Sequence, residues 1–343
     1  MSLEARLQRA WQKGGLLSLL LLPVAWVYSA LLALRKLLYR LGLKKVEALP
    51  VPVVVVGNWI VGGAGKTPTT LALLQLLQRQ GLRAGVISRG YGRSDDSQVC
   101  IVQCNSLASE VGDEPLLIHL RSGVPVAVGR DRVAAARALL QAHPEIQLLV
   151  SDDGLQHWRL PRALSILVFD ERGTGNGRLL PAGPLRQPAS RKLPPDSLVL
   201  YNAPAPTTAL PGHLAARALA GAVSLQDWWQ GRPAEHAALQ ALRGTPVLAL
   251  AGTARPQRFF DMLQTQGLSL TGTLSLPDHA DFSPLPWPAD TADLVLTEKD
   301  AVKLRPEAVG STRVWVVALD FRPDPAFEQA LLERLKPLIA SHG

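Results

Sequence analysis

Positions 57 to 68 read Gly57-Asn58-Trp59-Ile60-Val61-Gly62-Gly63-Ala64-Gly65-Lys66-Thr67-Pro68, and these residue types at this spacing suit the holding of a phosphate. Glycines let backbone N–H groups converge on phosphate oxygens. Lys66 adds a point charge, and a helix opening at Pro68 turns its positive dipole end toward the anion. Thr67 stands where the hydroxyl of such loops ligates Mg2+. The residues expected to cradle nucleotide are therefore Gly62, Gly63, Ala64, Gly65, Lys66, Thr67 and Pro68.

The spacing departs from the usual G-x-x-x-x-G-K-[ST], because Ile60 occupies the place of the first glycine. The G-G-x-G-K-T form is that of the deviant P-loop ATPases, without their extra lysine, whose place Val61 takes. A second chemical signal is Asp152-Asp153 at the end of the apolar run Ile146–Ser151: carboxylates at the end of a strand are where P-loop enzymes hold Mg2+. An Asp-Gly turn at 153–154 is the plainer alternative. Gly112-Asp113-Glu114-Pro115 adds two more carboxylates, which serve equally well as an acidic first turn, with Glu114 capping a helix that starts at Pro115 and Asp113 favoured by the same dipole.

These residues need a framework, and the pattern supplies one. Val53–Val56 is a β-branched run leading into the loop, with a helical segment after it to Gln80. Ala84–Ser88 reads as the next strand and delivers Arg89-Gly90-Tyr91-Gly92-Arg93 to the carboxyl edge of a sheet, where basic groups meet phosphate. Strand 124–128, helix 133–142 with Asp131 as its cap, strand 146–151 and strand 165–169 continue the alternation. Eight prolines between 181 and 211 read as a stiff hinge. Beyond it come strand 246–251, a helix from Pro256, strands 293–296 and 314–318, and a helix over 325–340. The expected fold is α/β: a P-loop NTPase-like α/β/α domain over 46–205 and a smaller α/β domain over 206–343, behind an N-terminal membrane-associated helix over 1–45.

That helix rests on 21 uncharged residues from Gly14 to Leu34, long enough to span a bilayer, with Pro23 expected to kink it. Arg35, Lys36, Arg40 and Lys44 interleave with leucines after it, as in an interfacial helix on anionic headgroups. Spanning and lying flat are both open, and a signal peptide and a buried helix are the rival readings. Residues 1–50 carry +6 of the chain's net +8, so the charge flanks an apolar run rather than covering a folded face, which argues against nucleic acid. With only Cys100 and Cys104, neither a disulfide framework nor a cysteine zinc site is available. Thr297-Glu298-Lys299-Asp300 superficially suggests a guanine-binding motif, but it lacks the asparagine and its Lys and Asp are adjacent.

The ordered set of G-N-x-x-x-G-G-x-G-K-T-P at 57–68, S-R-G-Y-G-R at 88–93, G-D-E-P at 112–115 and D-D-G-x-Q-H at 152–157 closely resembles one family. N-G-R-x-L-P-A-G-P-L-R at 176–186, A-G-x-x-x-P-x-R-F-F at 251–260, D-H at 278–279 and T-E-K-D at 297–300 extend the likeness over nearly the whole chain. The family is tetraacyldisaccharide 4′-kinase, the lipid A 4′-kinase of Gram-negative bacteria.

The resemblance implies ATP- and Mg2+-dependent phosphorylation of a glycolipid precursor, tetraacyldisaccharide 1-phosphate, at the cytoplasmic face of the inner membrane. It puts the P-loop lysine and threonine on Lys66 and Thr67 and the metal carboxylates on Asp152 and Asp153. The catalytic aspartate falls on Asp113 and its partner histidine on His279, a dyad drawn from two domains that close on the hinge. Ala64 and Thr253 are mild departures. Tyr91, Arg93, Arg178 and Arg186 are candidates to contact the substrate's phosphate, though each arginine equally suits a solvated surface. Another P-loop phosphotransferase or ligase with a soluble acceptor, and a membrane-associated switch ATPase, are the alternatives.

Overall fold

The computed structural model describes residues 3–278 and 280–340. In chain order its elements begin with helices α1 (Leu3–Lys13), α2 (Leu16–Leu20) and α3 (Leu22–Arg40), then β1 (Val53–Gly57), α4 (Lys66–Arg79), β2 (Ala84–Ser88), β3 (Cys100–Ile101) and α5 (Ala108–Val111). They continue with α6 (Asp113–Ser122), β4 (Val126–Val128), α7 (Arg132–Ala142), β5 (Leu148–Asp152), β6 (Leu164–Asp170), β7 (Ser197–Asn202) and β8 (His213–Ser224). The last are α8 (Leu225–Trp229), α9 (His236–Ala241), β9 (Pro246–Ala251), α10 (Pro256–Thr265), β10 (Ser269–Ser275), β11 (Asp293–Thr297), α11 (Glu298–Ala301), β12 (Arg313–Pro323) and α12 (Pro325–Ala340).

The expected α/β class is what the chain forms, in two compact units that are interleaved in sequence. The first comprises residues 1–88, 131–216 and 323–343, and the second comprises 89–130 and 217–322. This grouping differs from contiguous domains meeting near 205. Two local facts account for it: α12 packs on β7 of the first unit, with Arg334 donating to Ser197 O at 3.1 Å, and Lys299 of the second unit bonds Glu114 at 2.9 Å.

In the first unit the strand order is β8-β7-β6-β1-β5-β2, and each described pairing is parallel. β1 lies between β5 and β6, with every residue buried, which is why its sequence is a β-branched run without alternation. α4 covers it with Leu73, Leu74, Leu76 and Leu77. The stretch read as a hinge contains β7: Leu198–Tyr201 form an apolar strand, with prolines outside it at 194, 195, 204 and 206, positions that cost no ladder hydrogen bond.

At the N-terminus, Gly14 (φ +76°) and Gly15 (φ +113°) break α1 from α2. The apolar run is interrupted at Leu21, between α2 and α3, just ahead of Pro23. Pro23 lies in the first turn of α3, where a missing N–H costs nothing. α3 is long and apolar enough to cross a membrane by length and composition. Only Ala25 of it is buried, while Trp26, Val27, Leu31 and Leu34 stand exposed.

The second unit is built on parallel β10-β9-β11-β12. Its core joins Leu219 and Ala222 of β8 to Val247, Ala249, Phe260, Leu263, Val295 and Val317. An antiparallel β3–β4 pair belongs to the same unit.

Candidate active site

The loop after β1 is held at nearly every residue. Gly65 sits at φ +95° before α4, and a Cβ there would fall 2.2 Å from Asn202 Nδ2, so the position tolerates only glycine. α4 opens at Lys66 rather than at Pro68, since the left-handed Gly65 is its cap. Thr69 Oγ1 donates to Gly65 O at 2.9 Å. Trp59 is buried edge-on against Phe169, with centroids 5.2 Å apart. Val61 N donates to Pro184 O at 2.9 Å and Arg186 N to Trp59 O at 2.7 Å, fastening the loop to the 181–186 segment.

Asp152 ends β5, fully buried, and accepts from Thr70 Oγ1 at 3.1 Å. Asp153 follows with φ +50°, a left-handed turn that aspartate tolerates better than most residues. Its carboxylate takes both ends of the Arg186 guanidinium, at 3.0 and 2.7 Å, and lies 3.7 Å from Lys66 Nζ. Burial pushes the Asp153 carboxyl up, but Lys66 and Arg186 outweigh it and hold the group below the usual carboxylate range. Asp152 thus ends the strand, and the turn begins at Asp153. Arg186, expected to face substrate, spends its fork on Asp153 and on both oxygens of Asn58.

Arg178 also has protein partners. Nη1 donates to the buried Ser18 Oγ at 2.9 Å, and Asn176 Nδ2 reaches Ser18 Oγ, Ala10 O and Ala182 O, each at 3.0 Å. With Trp11 Nε1 on Pro181 O at 2.8 Å, the 176–186 motif fastens α1 and α2 to the nucleotide-loop unit. Tyr28 of α3 donates to Arg186 O at 2.8 Å, and Arg35 to Gln156 O at 3.1 Å. His157 closes the D-D-G-x-Q-H motif. Burial first, then Arg132, Arg159 and Arg35 against the weaker pull of Asp131, lowers its pKa to about 4.

The second unit carries Asp113, buried at the first residue of α6 and accepting from Glu114 N at 3.0 Å. The acidic-first-turn reading therefore holds for Asp113 itself, and Glu114 is not the cap; Gly112 is. Lys299 Nζ stands 3.9 Å from Asp113 Oδ2, 2.9 Å from Glu114 Oε1 and 2.7 Å from Asp278 Oδ1. Burial opposes the charge on Lys299, but the three carboxylates, Glu114 most, raise its pKa above the ordinary value. The T-E-K-D motif is thus the ionic hub of its unit: Glu298 pairs with Arg121, and Asp300 accepts from Gly252 N at 3.0 Å. Tyr91 is exposed, whereas Arg93 is buried and donates to Gln98 O at 2.8 Å. His279 lies outside the described residues.

Two residues at the nucleotide loop carried no sequence signal. Arg172 donates to Val61 O and Gly63 O, and Asn202 to Ala64 O. These loop partners lie more than a hundred positions away, and no local motif marks either residue.

A strand, glycine loop and helix in this geometry, with carboxylates ending the neighbouring parallel strand, define a P-loop nucleotide-binding protein. The family profile described as tetraacyldisaccharide-1-P 4′-kinase matches residues 17–336, and the chain belongs to that family. It is similar to the tetraacyldisaccharide 4′-kinase of Methylibium petroleiphilum, 55% identical over 341 residues that cover 98% of this chain and 95% of the relative. The corresponding figures for the tetraacyldisaccharide 4′-kinase of Leptothrix cholodnii are 53% over 338 residues, 97% and 96%. The crystal structure of LpxK from Aquifex aeolicus in complex with ATP is similar with a TM-score of 0.77 and 26% identity, covering 94% of this chain and all of that one.

Proposed function

We propose that the protein transfers the γ-phosphoryl group of ATP to the 4′-hydroxyl of a tetraacyldisaccharide 1-phosphate, the acylated sugar precursor of lipid A. The observation that carries this reading is that relatives named for this kinase align with the chain end to end, 95% or more of each, at over half identity. The solved LpxK was crystallised with ATP, which supports ATP as the donor here.

Phosphoryl transfer asks a protein for positioning and charge stabilisation. In this reading Lys66 and the amides of residues 62–65 hold the β- and γ-phosphates. Thr67 with Asp152 or Asp153 takes Mg2+, an ion that needs only one or two carboxylates beside a hydroxyl and the nucleotide's own oxygens. The donor set fits: Asp153 is kept anionic by its two cations, and among the described residues no three-ligand cage of His, Cys, Asp and Glu competes for a metal. When bound, the ion neutralises charge on the transferring phosphoryl group.

Asp113 takes the proton of the attacking hydroxyl, and His279 orients or tunes it. A cation 3.9 Å from Asp113 Oδ2 favours the anion that this role requires. Tyr91, exposed at the surface, contacts the acceptor. Arg93, Arg178 and Arg186 support it from within their own networks. The exposed apolar side chains of α2 and α3 seat the enzyme on the cytoplasmic face of the inner membrane, where the acylated acceptor resides. Incubation with γ-labelled ATP, Mg2+ and tetraacyldisaccharide 1-phosphate is expected to give labelled lipid. Label recovered only as inorganic phosphate refutes the reading.

A further inference from the structure

Four successive carbonyl oxygens of the nucleotide loop each receive a side-chain donor. Arg172 Nη1 donates to Val61 O at 3.2 Å, Asn58 Nδ2 to Gly62 O at 3.2 Å, Arg172 Nη2 to Gly63 O at 2.9 Å, and Asn202 Nδ2 to Ala64 O at 3.1 Å. A trans peptide is planar, with its C=O and the following N–H on opposite sides. Pinning the oxygens of residues 61–64 therefore sets the N–H groups of Gly62, Gly63, Ala64 and Gly65, each directed away from its own pin.

The pins are themselves rigid. Arg172 Nε lies 3.1 and 2.9 Å from the two oxygens of Asp170, the last residue of β6, and Asp170 is buried. Thr207 Oγ1 in turn donates to Asp170 O at 2.9 Å. Asn202, the last residue of β7, is buried directly beneath Gly65. The loop itself is glycine-rich, so without these pins the peptide planes from 61 to 65 would turn easily.

We infer that Arg172, supported by Asp170 and assisted by Asn202, is the positioning residue of the nucleotide loop, presetting its amides for a triphosphate before the nucleotide arrives. The inference rests on the reading that this loop takes the phosphates of ATP. An arginine suits the task because its planar fork spans two carbonyls while Nε stays on Asp170; a lysine ammonium keeps the charge but is a single point. The fork and the charge are therefore separable.

The test uses Arg172→Ala and Arg172→Lys in the full-length protein, with ATP as the titrant in calorimetry, followed by steady-state kinetics against both substrates. Losing the fork is expected to raise the Kd and KM for ATP at least tenfold in both variants, since a hydrogen bond from a charged donor is worth about a factor of ten or more. The KM for the lipid acceptor should stay within twofold. Wild-type ATP affinity in Arg172→Ala overturns the inference. So does restoration of wild-type affinity by Arg172→Lys, which would mean that the charge touches phosphate directly. Should Arg172→Ala fail to fold, Arg172→Lys and Asn202→Leu decide on the same measure, and unchanged ATP affinity in both overturns it. Binding is measured without lipid, so a protein that binds ATP but labels no lipid refutes the proposed acceptor and leaves this inference to stand or fall on the variants alone.

Discussion

Acid should weaken the fold through His157, and the size of the effect follows from its surroundings. The ring is mostly enclosed, with Nε2 3.9 Å from Asp131 Oδ1 and the guanidinium groups of Arg132, Arg159 and Arg35 close enough to disfavour a further cation. Its folded-state pKa is about 4, against about 6.5 for histidine in an unfolded chain. Between those values the unfolded chain binds a proton that the native protein refuses. The stabilisation is therefore present in full above about pH 6.5 and is lost as pH falls toward 4. Moving from pH 7.5 to pH 5 should cost about 2 kcal/mol through this one side chain. His157→Gln removes the titrating group, and other acid-sensitive residues are common to both proteins. Urea unfolding at pH 7.5 and pH 5 reads the difference. The wild type is expected to lose about 2 kcal/mol more than the variant between the two conditions. Parallel losses would refute the claim that the ring is held neutral by burial and neighbouring arginines.

Asp113→Ala should abolish most turnover while ATP binding measured by calorimetry survives; near-normal kcat would remove Asp113 from the base role. Lys299→Met leaves Asp113, Glu114 and Asp278 facing one another without their cation, and should cost about 3–5 kcal/mol of stability in a denaturant titration. A loss under 1 kcal/mol would mean that the cluster is solvated. Asn176→Ala deletes the two bonds, to Ala10 O and Ser18 Oγ, that fasten α1 and α2, worth about 1 kcal/mol each. Protease cleavage around Gly14 and Gly15 should accelerate by at least tenfold, and an unchanged rate would show that Trp11 and Arg178 hold the helices alone.

What could be read in advance was what is local. The run Val53–Val56, the glycine loop, Asp131 as the cap of α7 and the whole of α12 were legible, because each is specified by residues within one turn or strand. Asp131 accepts from Val133 N and Ala134 N, as its position before a helical pattern suggested. β8 was not legible: His213–Ser224 is rich in alanine and poor in β-branched residues, and only its neighbours make it a strand. β7 was masked by the prolines around it. The charged residues misled most. Arg178 and Arg186 look like surface cations in a loop, and nothing local announces partners 160 and 33 positions away. Arg172, two residues past a strand that was recognised, had no neighbour in sequence to reveal that its fork closes on a loop 109 to 111 positions earlier.

The interleaving of the chain bears on how the protein is made. α12 completes the nucleotide-loop unit by burying Phe327, Leu331 and Leu335, and Glu328 meets Arg79 of α4 across a separation of 249 residues. As the chain leaves the ribosome, the loop that takes phosphate emerges early, but the helix that finishes its domain emerges after the whole second unit. Such distant closure is slow in folding. It also leaves the apolar underside of β7 bare throughout that interval, so a synthesis pause or a cut ahead of residue 325 should yield an aggregation-prone chain rather than a working nucleotide-binding fragment.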